Sequence, residues 1–75
     1  MFVRIKDADD AVNIARICSS FNCNVDAEQG SRSCDAKSLL GLMALGRDCS
    51  VNIIVHCSEE GIKKEYQDRL IDFIA

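Results

Sequence analysis

The residues of this chain that could do chemistry are few, and the densest group is acidic. Asp7, Asp9 and Asp10 lie within the segment KDADDA. An aspartate can accept a phosphoryl group, but that chemistry usually needs a metal ion or a lysine beside it. Lys6 is adjacent, yet neighbouring residues of a strand point to opposite faces. The simpler interpretation is a helix start, where aspartates cap free N–H groups and suit the positive end of the helix dipole.

Cysteines form the second chemically capable set, which comprises Cys18, Cys23, Cys34, Cys49 and Cys57. An odd number fits a disulfide framework poorly, and the absence of a C-x-x-C spacing weakens zinc-binding and thioredoxin-like interpretations. No signal-peptide pattern opens the sequence, so we expect reduced thiols in a cytoplasmic protein. Cys18 and Cys57 lie in apolar patterns and are expected in the core. Cys34 and Cys49 flank a predicted helix, either as isolated thiols, which we favour, or near each other or at a dimer contact.

The single histidine, His56, has no evident partner in the sequence with which to build a site. It adjoins Cys57 on a predicted strand, so the two side chains point to opposite faces and cannot hold one metal ion together. A Cys/His catalytic pair would also need a third group and a pocket, and no sequence signal indicates either. We therefore expect no metal site, no cofactor and no enzymatic activity, with His56 at a sheet end or on an open face.

Size and charge narrow the class of protein further. The chain has 75 residues, 48% hydrophobic and 28% charged, which predicts one globular domain over residues 1–75. The net charge of −3 and the scattered lysines and arginines argue against nucleic-acid binding, which needs clustered basic residues. The longest apolar stretch falls far short of the ~20 residues that a membrane-spanning helix needs, so no membrane association is expected.

Alternation and helical spacing predict the order β-α-β-β-α-β-α. The predicted strands are residues 2–6, 22–28, 31–34 and 50–57, with a turn at Gln29 and Gly30. The predicted helices begin at the aspartates, at Ser38 and at Ser58. This pattern predicts an α+β fold, an open-faced sandwich with three helices on one face of a four-stranded antiparallel sheet.

Two of the predicted helices show a buried stripe. In the first helix the stripe is Ala11, Ile14, Ala15, Cys18 and Phe21. In the last helix, capped by Ser58, it is Ile62, Tyr66, Leu70, Phe73 and Ile74. The short second helix differs, because residues 39–45 read LLGLMAL and lack the polar face that an amphipathic surface helix keeps.

The element order and the stretch AKSLLGLMALG resemble HPr, the small phosphocarrier family of the bacterial sugar phosphotransferase system. In that family the stretch is typically K-S, two apolar residues, a glycine, two apolar residues, a small residue and L-G. Residues 37–46 match this motif position by position. Phe21 falls on the aromatic residue that ends the family's first helix, and residues 51–55 fall on its fourth strand, both without a gap. The resemblance covers nearly the whole chain and implies the HPr-like sandwich.

The same correspondence places no histidine at the family's phosphoryl-carrying position. The phosphocarrier site of HPr is a G-[IL]-H-A-R-P-A segment, whose histidine carries the phosphoryl group. Counted back from Phe21, the histidine position falls on Asp7, the arginine on Asp9 and the proline on Asp10. Three aspartates in one turn would repel a doubly charged phosphate. The resemblance therefore implies a divergent member that is not a histidine phosphocarrier and belongs to no class of enzyme.

Ser38 keeps a second feature of the family. In many Gram-positive bacteria the serine at this position is phosphorylated by a dedicated kinase, and the modified protein works in carbon catabolite control. Some bacteria carry a regulatory HPr-like paralogue that lacks the active histidine and keeps this serine. A phosphate here would meet free N–H groups at a helix start, with Lys37 as a nearby cation. A serine that only caps the helix is an equally weighted alternative.

In an HPr-like fold only one side of the second helix reaches the core. The residues expected to face inward are Leu40, Ala44 and Leu45. The residues expected to be at least partly exposed are Leu39, Leu42 and Met43. An exposed apolar patch usually marks a docking site, and methionine suits adaptable surfaces. Gly41, which costs about 1 kcal/mol relative to alanine in a helix, favours close approach of a neighbour or a partner.

Three functions remain open at this point. The first is a regulatory protein that docks partners through Lys37, Ser38, Leu39, Leu42 and Met43, with phosphorylation at Ser38. Its partners would be phosphotransferase-system components, a serine kinase or a transcriptional regulator. The second is a phosphocarrier with an acceptor other than histidine. The third is an oligomerising structural module, such as a homodimer, that kept the fold.

Overall fold

A computed structural model describes residues 1–45 and 49–74 of the chain. The elements follow in the predicted order: β1 (Phe2–Ile5), α1 (Ala8–Ser19), β2 (Asn24–Gln29), β3 (Arg32–Asp35), α2 (Leu39–Ala44), β4 (Cys49–His56) and α3 (Glu60–Arg69). A 3-10 turn at Ile71–Phe73 follows α3. Gly46, the last residue of the HPr-like motif, lies outside the described residues.

The four strands form one antiparallel sheet in the order β1-β4-β2-β3. The hairpin of β2 and β3 turns at Gly30, whose φ of 61° is a left-handed conformation that glycine adopts without strain. Long-range pairing then places β4 between β1 and β2, with Val51 opposite Val3 and Val55 opposite Val25. The predicted open-faced antiparallel sheet is confirmed.

The two faces of the sheet differ in polarity, as the alternating strands predict. One face packs against the helices and supplies the core residues Val3, Ile5, Val25, Ala27, Val51 and Ile53. The helices complete this core with Ala11, Ile14, Ala15, Cys18, Leu42, Tyr66 and Leu70. The opposite face carries Phe2, Arg4, Glu28 and His56, which are exposed. The stripe predicted for α1 is thus confirmed, with Phe21 half-buried beside it.

The last helix departs from its prediction at both ends. Its cap position is Glu59, not Ser58, and within the described chain no side chain caps this helix start by a hydrogen bond. Tyr66 and Leu70 are buried as predicted, but α3 ends at Arg69. Ile74 therefore leaves the helical stripe, is 44% exposed and pairs with Val3 through a single β-bridge. The predicted continuation of the helix beyond Leu70 is wrong, because the backbone there forms a 3-10 turn followed by extended chain.

Candidate functional site

The start of α1 is held by two of its own carboxylates. The backbone N–H of Asp10 donates to Oδ1 of Asp7 at 3.0 Å, and the N–H of Lys6 donates to Oδ2 of Asp10 at 3.0 Å. This arrangement differs from a capping box, because the carboxylate of Asp10 accepts from the residue before the cap and not from Asp7 itself. The predicted acidic helix cap is confirmed. An incoming anion would find these donors occupied and three negative charges around them, those of Asp7, Asp9 and Asp10.

The acidic helix start also lacks the geometry of a metal centre. Among the residues that the structure describes, no group of three or more His, Cys, Asp or Glu side chains could hold a metal ion. Asp7 and Asp10 each accept a hydrogen bond from a backbone N–H group, where they stabilise the helix start.

The start of α2 is built differently. Ser38 is the cap residue, and its Oγ accepts from the N–H of Gly41 at 3.2 Å. The Ser38 carbonyl accepts from the N–H of Leu42 at 3.0 Å. The first turn, residues 39–41, contains no acidic side chain, and Ser38 is exposed. The hydroxyl is thus at the surface and beside backbone N–H groups that a larger acceptor could also reach.

The turn before α2 is organised by Asp35 and Lys37. Oδ1 of Asp35 accepts from the N–H of Lys37 at 2.9 Å, and the Asp35 carbonyl accepts from the N–H of Ser38 at 2.9 Å. Nζ of Lys37 donates to the carbonyl of Phe21 at 2.8 Å, just beyond the end of α1. Lys37 thus connects the start of α2 to the end of α1. Its ammonium group points to the Phe21 carbonyl.

Burial along α2 corrects half of the predicted pattern. Leu45 is buried and Leu39 and Met43 are exposed, as predicted. Leu40 is 80% exposed and Ala44 is also exposed, so both inward assignments were wrong. Leu42 is fully buried, so its assignment to an exposed partner-binding surface was wrong. The physical reason is the phase of the helix, because the residues that share its inner face are Leu42 and Leu45, three positions apart.

The exposed apolar residues of α2 form one surface, which we call the α2 patch and define as Leu39, Leu40 and Met43. They are 37%, 80% and 45% exposed. On a short helix, positions three and four apart are neighbours, so Met43 lies beside both leucines. Leu40 is a member that the sequence pattern missed. A uniformly apolar segment has no polar face from which its orientation could be determined.

Two contacts hold α2 against β3. A Cβ added to Gly41 would lie 3.0 Å from Cβ of Cys34 and 3.2 Å from its Sγ. The glycine therefore permits close approach of a neighbour within the chain, one of the two alternatives left open by the sequence. The guanidinium of Arg32 donates to the carbonyl of Ala44 at the other end of the helix. No sequence motif singled out Arg32, although a basic residue suits the negative end of a helix dipole.

The remaining candidates lie away from both helix starts. His56 is on the open face, where its Nε2 is 2.8 Å from Oδ2 of Asp26 on the adjacent strand β2. Cys18 is fully buried, and burial raises the pKa of its thiol to about 11. Cys57, which the sequence placed in the core, is only half-buried because it lies just beyond the end of β4.

The resolved pKa shifts do not favour a cysteine that is activated as a catalytic nucleophile. Burial raises the pKa of Cys34, and a hydrogen bond with Cys57 followed by burial raises the pKa of Cys23. An activated nucleophile requires the opposite, a lowered pKa.

None of the helices in the described part of the chain is both long and apolar enough to cross a bilayer.

A four-stranded antiparallel sheet covered on one face by three helices defines an open-faced β-α-β-β-α-β-α sandwich. HPr of Thermoanaerobacter tengcongensis shares this fold with a TM-score of 0.75 and 24% identity, over 96% of this chain and 85% of that one. HPr of Bacillus anthracis str. Ames gives 0.70 and 19%, over 100% and 96%. Crh, a catabolite repression protein of Bacillus subtilis that forms a dimer with a swapped domain, gives 0.70 and 20%, over 97% and 87%.

The family itself follows from the sequence comparison. The model described as the PTS HPr component phosphorylation site matches residues 7–75. The chain therefore belongs to the HPr family of the phosphotransferase system, as its resemblance indicated. Members of this family are phosphocarriers and not enzymes, and they interact with other phosphotransferase-system proteins. A search of curated proteins returned no match.

Proposed function

We propose that this protein is a regulatory member of the HPr family that acts by docking other proteins through α2 and carries no phosphoryl group on histidine. The observation that carries the proposal is the α2 patch, which leaves Leu39, Leu40 and Met43 at the surface beside the exposed Ser38. The docking surface differs from the one the sequence predicted, since Leu40 replaces the buried Leu42.

The three residues of the α2 patch do not belong to the hydrophobic core. Leu42 and Leu45 already fill the core side of α2. Transfer of apolar surface from water contributes roughly 25 cal/mol per Å² buried, so a partner that covers this surface would gain free energy. Contiguous exposed apolar residues beside polar ones typically mark a protein interaction site.

The acidic start of α1 argues against phosphoryl transfer at the family position. Asp7 stands where the resemblance places the histidine, and its Oδ1 is already the cap acceptor for Asp10. A phosphoryl group on Asp7 would break that cap and add negative charge beside Asp9 and Asp10. The chemistry expected there is helix capping alone.

Phosphorylation at Ser38 is the regulatory step that we propose for this surface. A phosphoserine has three strong acceptor oxygens and nearly two negative charges, which suit the N–H groups at a helix start. The Ser38 hydroxyl is exposed and already accepts from Gly41. A phosphate there would change the charge at the border of the α2 patch from neutral to negative. The proposed partners in the cytoplasm are phosphotransferase-system components, a serine kinase or a transcriptional regulator.

Two enzymes test this proposal: the kinase that phosphorylates the family's serine, and the general phosphotransferase enzyme, which phosphorylates the histidine of HPr. Intact mass is measured after incubation with each. We expect one added phosphate with the kinase, none in Ser38→Ala, and one in the control Ser50→Ala, which removes an exposed serine on the open sheet face. The general enzyme should add none while it phosphorylates a histidine-containing HPr. A hydroxylamine-sensitive phosphate that is absent from Asp7→Asn would instead establish a carrier with an aspartate acceptor.

Docking is tested separately with Leu40→Asp, which should weaken capture of a phosphotransferase-system component or transcriptional regulator by tenfold or more without unfolding the domain. The matched control is Phe2→Asp, which places the same charge at an exposed apolar residue of β1. Equal binding by all three proteins would contradict the assignment. A dimer in light scattering that dissociates on Leu40→Asp would assign the patch to self-association, the structural-module alternative.

A further inference from the structure

Two cysteines lie opposite each other at the end of the sheet where β2 begins and β4 ends. The antiparallel register pairs Asn24 with His56 and Val25 with Val55. One more step along this register places Cys23 opposite Cys57. Cys23 lies just before β2 and Cys57 just after β4, so residues distant in sequence are brought together by strand pairing.

Both side chains lie on the helix-facing side of the sheet. Successive residues of a strand alternate between faces, so Cys23 shares its face with the buried Val25, and Cys57 shares its face with Val55. Both cysteines are half-buried, and the neighbouring Cys57 side chain is the largest cause of the raised pKa of the Cys23 thiol. Each also acts on Tyr66, whose pKa is raised by burial and then by the charges that Cys18, Cys23 and Cys57 would carry as thiolates.

The register is compatible with the geometry of a disulfide. Opposed residues of an antiparallel pair have Cα atoms about 4.5–5.5 Å apart. Disulfides typically join Cα atoms separated by about 4.4–6.8 Å, with both Cβ vectors directed to the same side. A bond between the two sulfurs would therefore need little movement of the backbone.

Two other cysteines show how this pair differs from its surroundings. Cys18 is fully buried under Tyr66, whose hydroxyl donates to the Cys18 carbonyl at 3.1 Å. Cys34 packs against Gly41 of α2 on the far side of the hairpin. Cys23 and Cys57 combine partial exposure with a thiol neighbour, and all five cysteines are reduced in this structure.

We propose that Cys23 and Cys57 form a reversible disulfide and so make a redox-modification site. The oxidant is a low-molecular-weight disulfide such as oxidised glutathione. One cysteine thiolate attacks the oxidant and releases one reduced thiol. The second cysteine, after loss of its proton, attacks the mixed disulfide and releases the other reduced thiol. The protein gives up two electrons and two protons, which the two released thiols take up.

The bond would fix the ends of β2 and β4 to each other next to the junction of the helices. Phe21, whose carbonyl accepts from Lys37, lies two residues before Cys23 and stacks on Tyr66. A covalent bridge here lowers the conformational entropy of the unfolded chain and so stabilises the folded state. The expected rise in Tm is on the order of 10 °C.

The test incubates the wild-type chain in glutathione buffers from fully reduced to fully oxidised. Free thiols are then blocked with N-ethylmaleimide in denaturant, so that the buried Cys18 also reacts, and intact mass and peptide maps are measured. We expect loss of two hydrogen atoms, three alkylated cysteines and a linked peptide that joins Cys23 to Cys57. Reduction should restore five alkylated sites. Cys34→Ser should behave like the wild type, whereas Cys23→Ser and Cys57→Ser should lose the linked peptide and the rise in Tm.

The peptide map of the wild type decides the outcome even where a variant folds poorly. Complete alkylation of Cys23 and Cys57 in the most oxidising buffer would overturn the proposal. A linked peptide that involves Cys34 or Cys49 instead would overturn it as well, because the register would then not select the pair. Glutathione retained on Cys23 or Cys57 without ring closure would show that the second attack does not occur, which also contradicts the proposal.

Discussion

The starts of α1 and α2 use the same backbone device with opposite chemical character. In each helix the cap side chain accepts the N–H three residues later, from Asp10 to Asp7 and from Gly41 to Ser38. The start of α1 is closed by a second carboxylate and is strongly negative. The start of α2 is capped by one neutral hydroxyl. The first is complete as a structural element, whereas the second leaves a modifiable group at the surface.

Burial separates the two helices in the same way. The 12 residues of α1 bury one stripe, Ala11, Ile14, Ala15 and Cys18, and turn mostly polar residues outward. The six residues of α2 bury Leu42 and leave three large apolar residues exposed. Contiguous exposed apolar residues typically mark an interaction site, which is why we propose partner docking through α2.

The largest effect expected from this comparison concerns the two sides of α2. Leu42→Ala should destabilise the domain by about 3 kcal/mol, because it leaves a cavity under the helix. Leu40→Ala should change the free energy of unfolding by less than about 0.5 kcal/mol, because its side chain is exposed. Urea unfolding of both variants measures the difference. Similar destabilisation by the two substitutions would show that Leu40 packs inside the molecule.

The packed stripe of α1 predicts a loss of stability at high pH. Cys18 has its pKa raised from 9.0 to about 11 by burial, so the folded state holds the proton more tightly than the unfolded state. Its contribution is complete below about pH 9 and is lost as the pH rises towards 11, at a cost of about 2 kcal/mol. Urea unfolding from pH 8 to 10.5 should show this decline. Cys18→Ala, although less stable at pH 8, should show a shallower one.

The contrast between these helices also shows what the sequence could predict. The strands and α1 have clear periods of alternation or helical spacing, and their burial followed from the pattern at Val3, Ile14 and Val51. Within α2 every candidate is apolar, so hydrophobicity carries no phase, and Leu40 and Leu42 were exchanged between surface and core. Local packing decides their positions, through the close contact of Gly41 with Cys34.

The ends of elements were predictable only where a side chain makes the cap. Asp7 and Ser38 both cap as their residue types indicate. Ser58 does not, because α3 begins one residue later, after Glu59. The pairing of Cys23 with Cys57 was beyond local pattern, since it depends on the register between β2 and β4.

The third prediction tests whether the carboxylate cap of α1 is structural. Asp7→Ala should cost about 1 kcal/mol, because the N–H of Asp10 loses its acceptor. Asp7→Asn keeps an oxygen acceptor and should cost less. Thermal unfolding at neutral pH compares the two. An equal loss in both variants would mean that the charge of Asp7, rather than its hydrogen bond, stabilises the helix.

The smallest effect expected is that of a negative charge at the start of α2. Ser38→Asp keeps a cap acceptor for Gly41 and adds a charge that the helix dipole favours, by about 0.3–1 kcal/mol at low ionic strength. The nearby carboxylate of Asp35, which accepts from Lys37, opposes this gain. We therefore expect a stabilisation at the lower end of that range. It should diminish in high salt and increase in the Asp35→Asn background, as chemical unfolding at two salt concentrations would show. Because the change in stability is so small, any large loss of partner binding by Ser38→Asp would reflect charge at the α2 patch and not unfolding of α2.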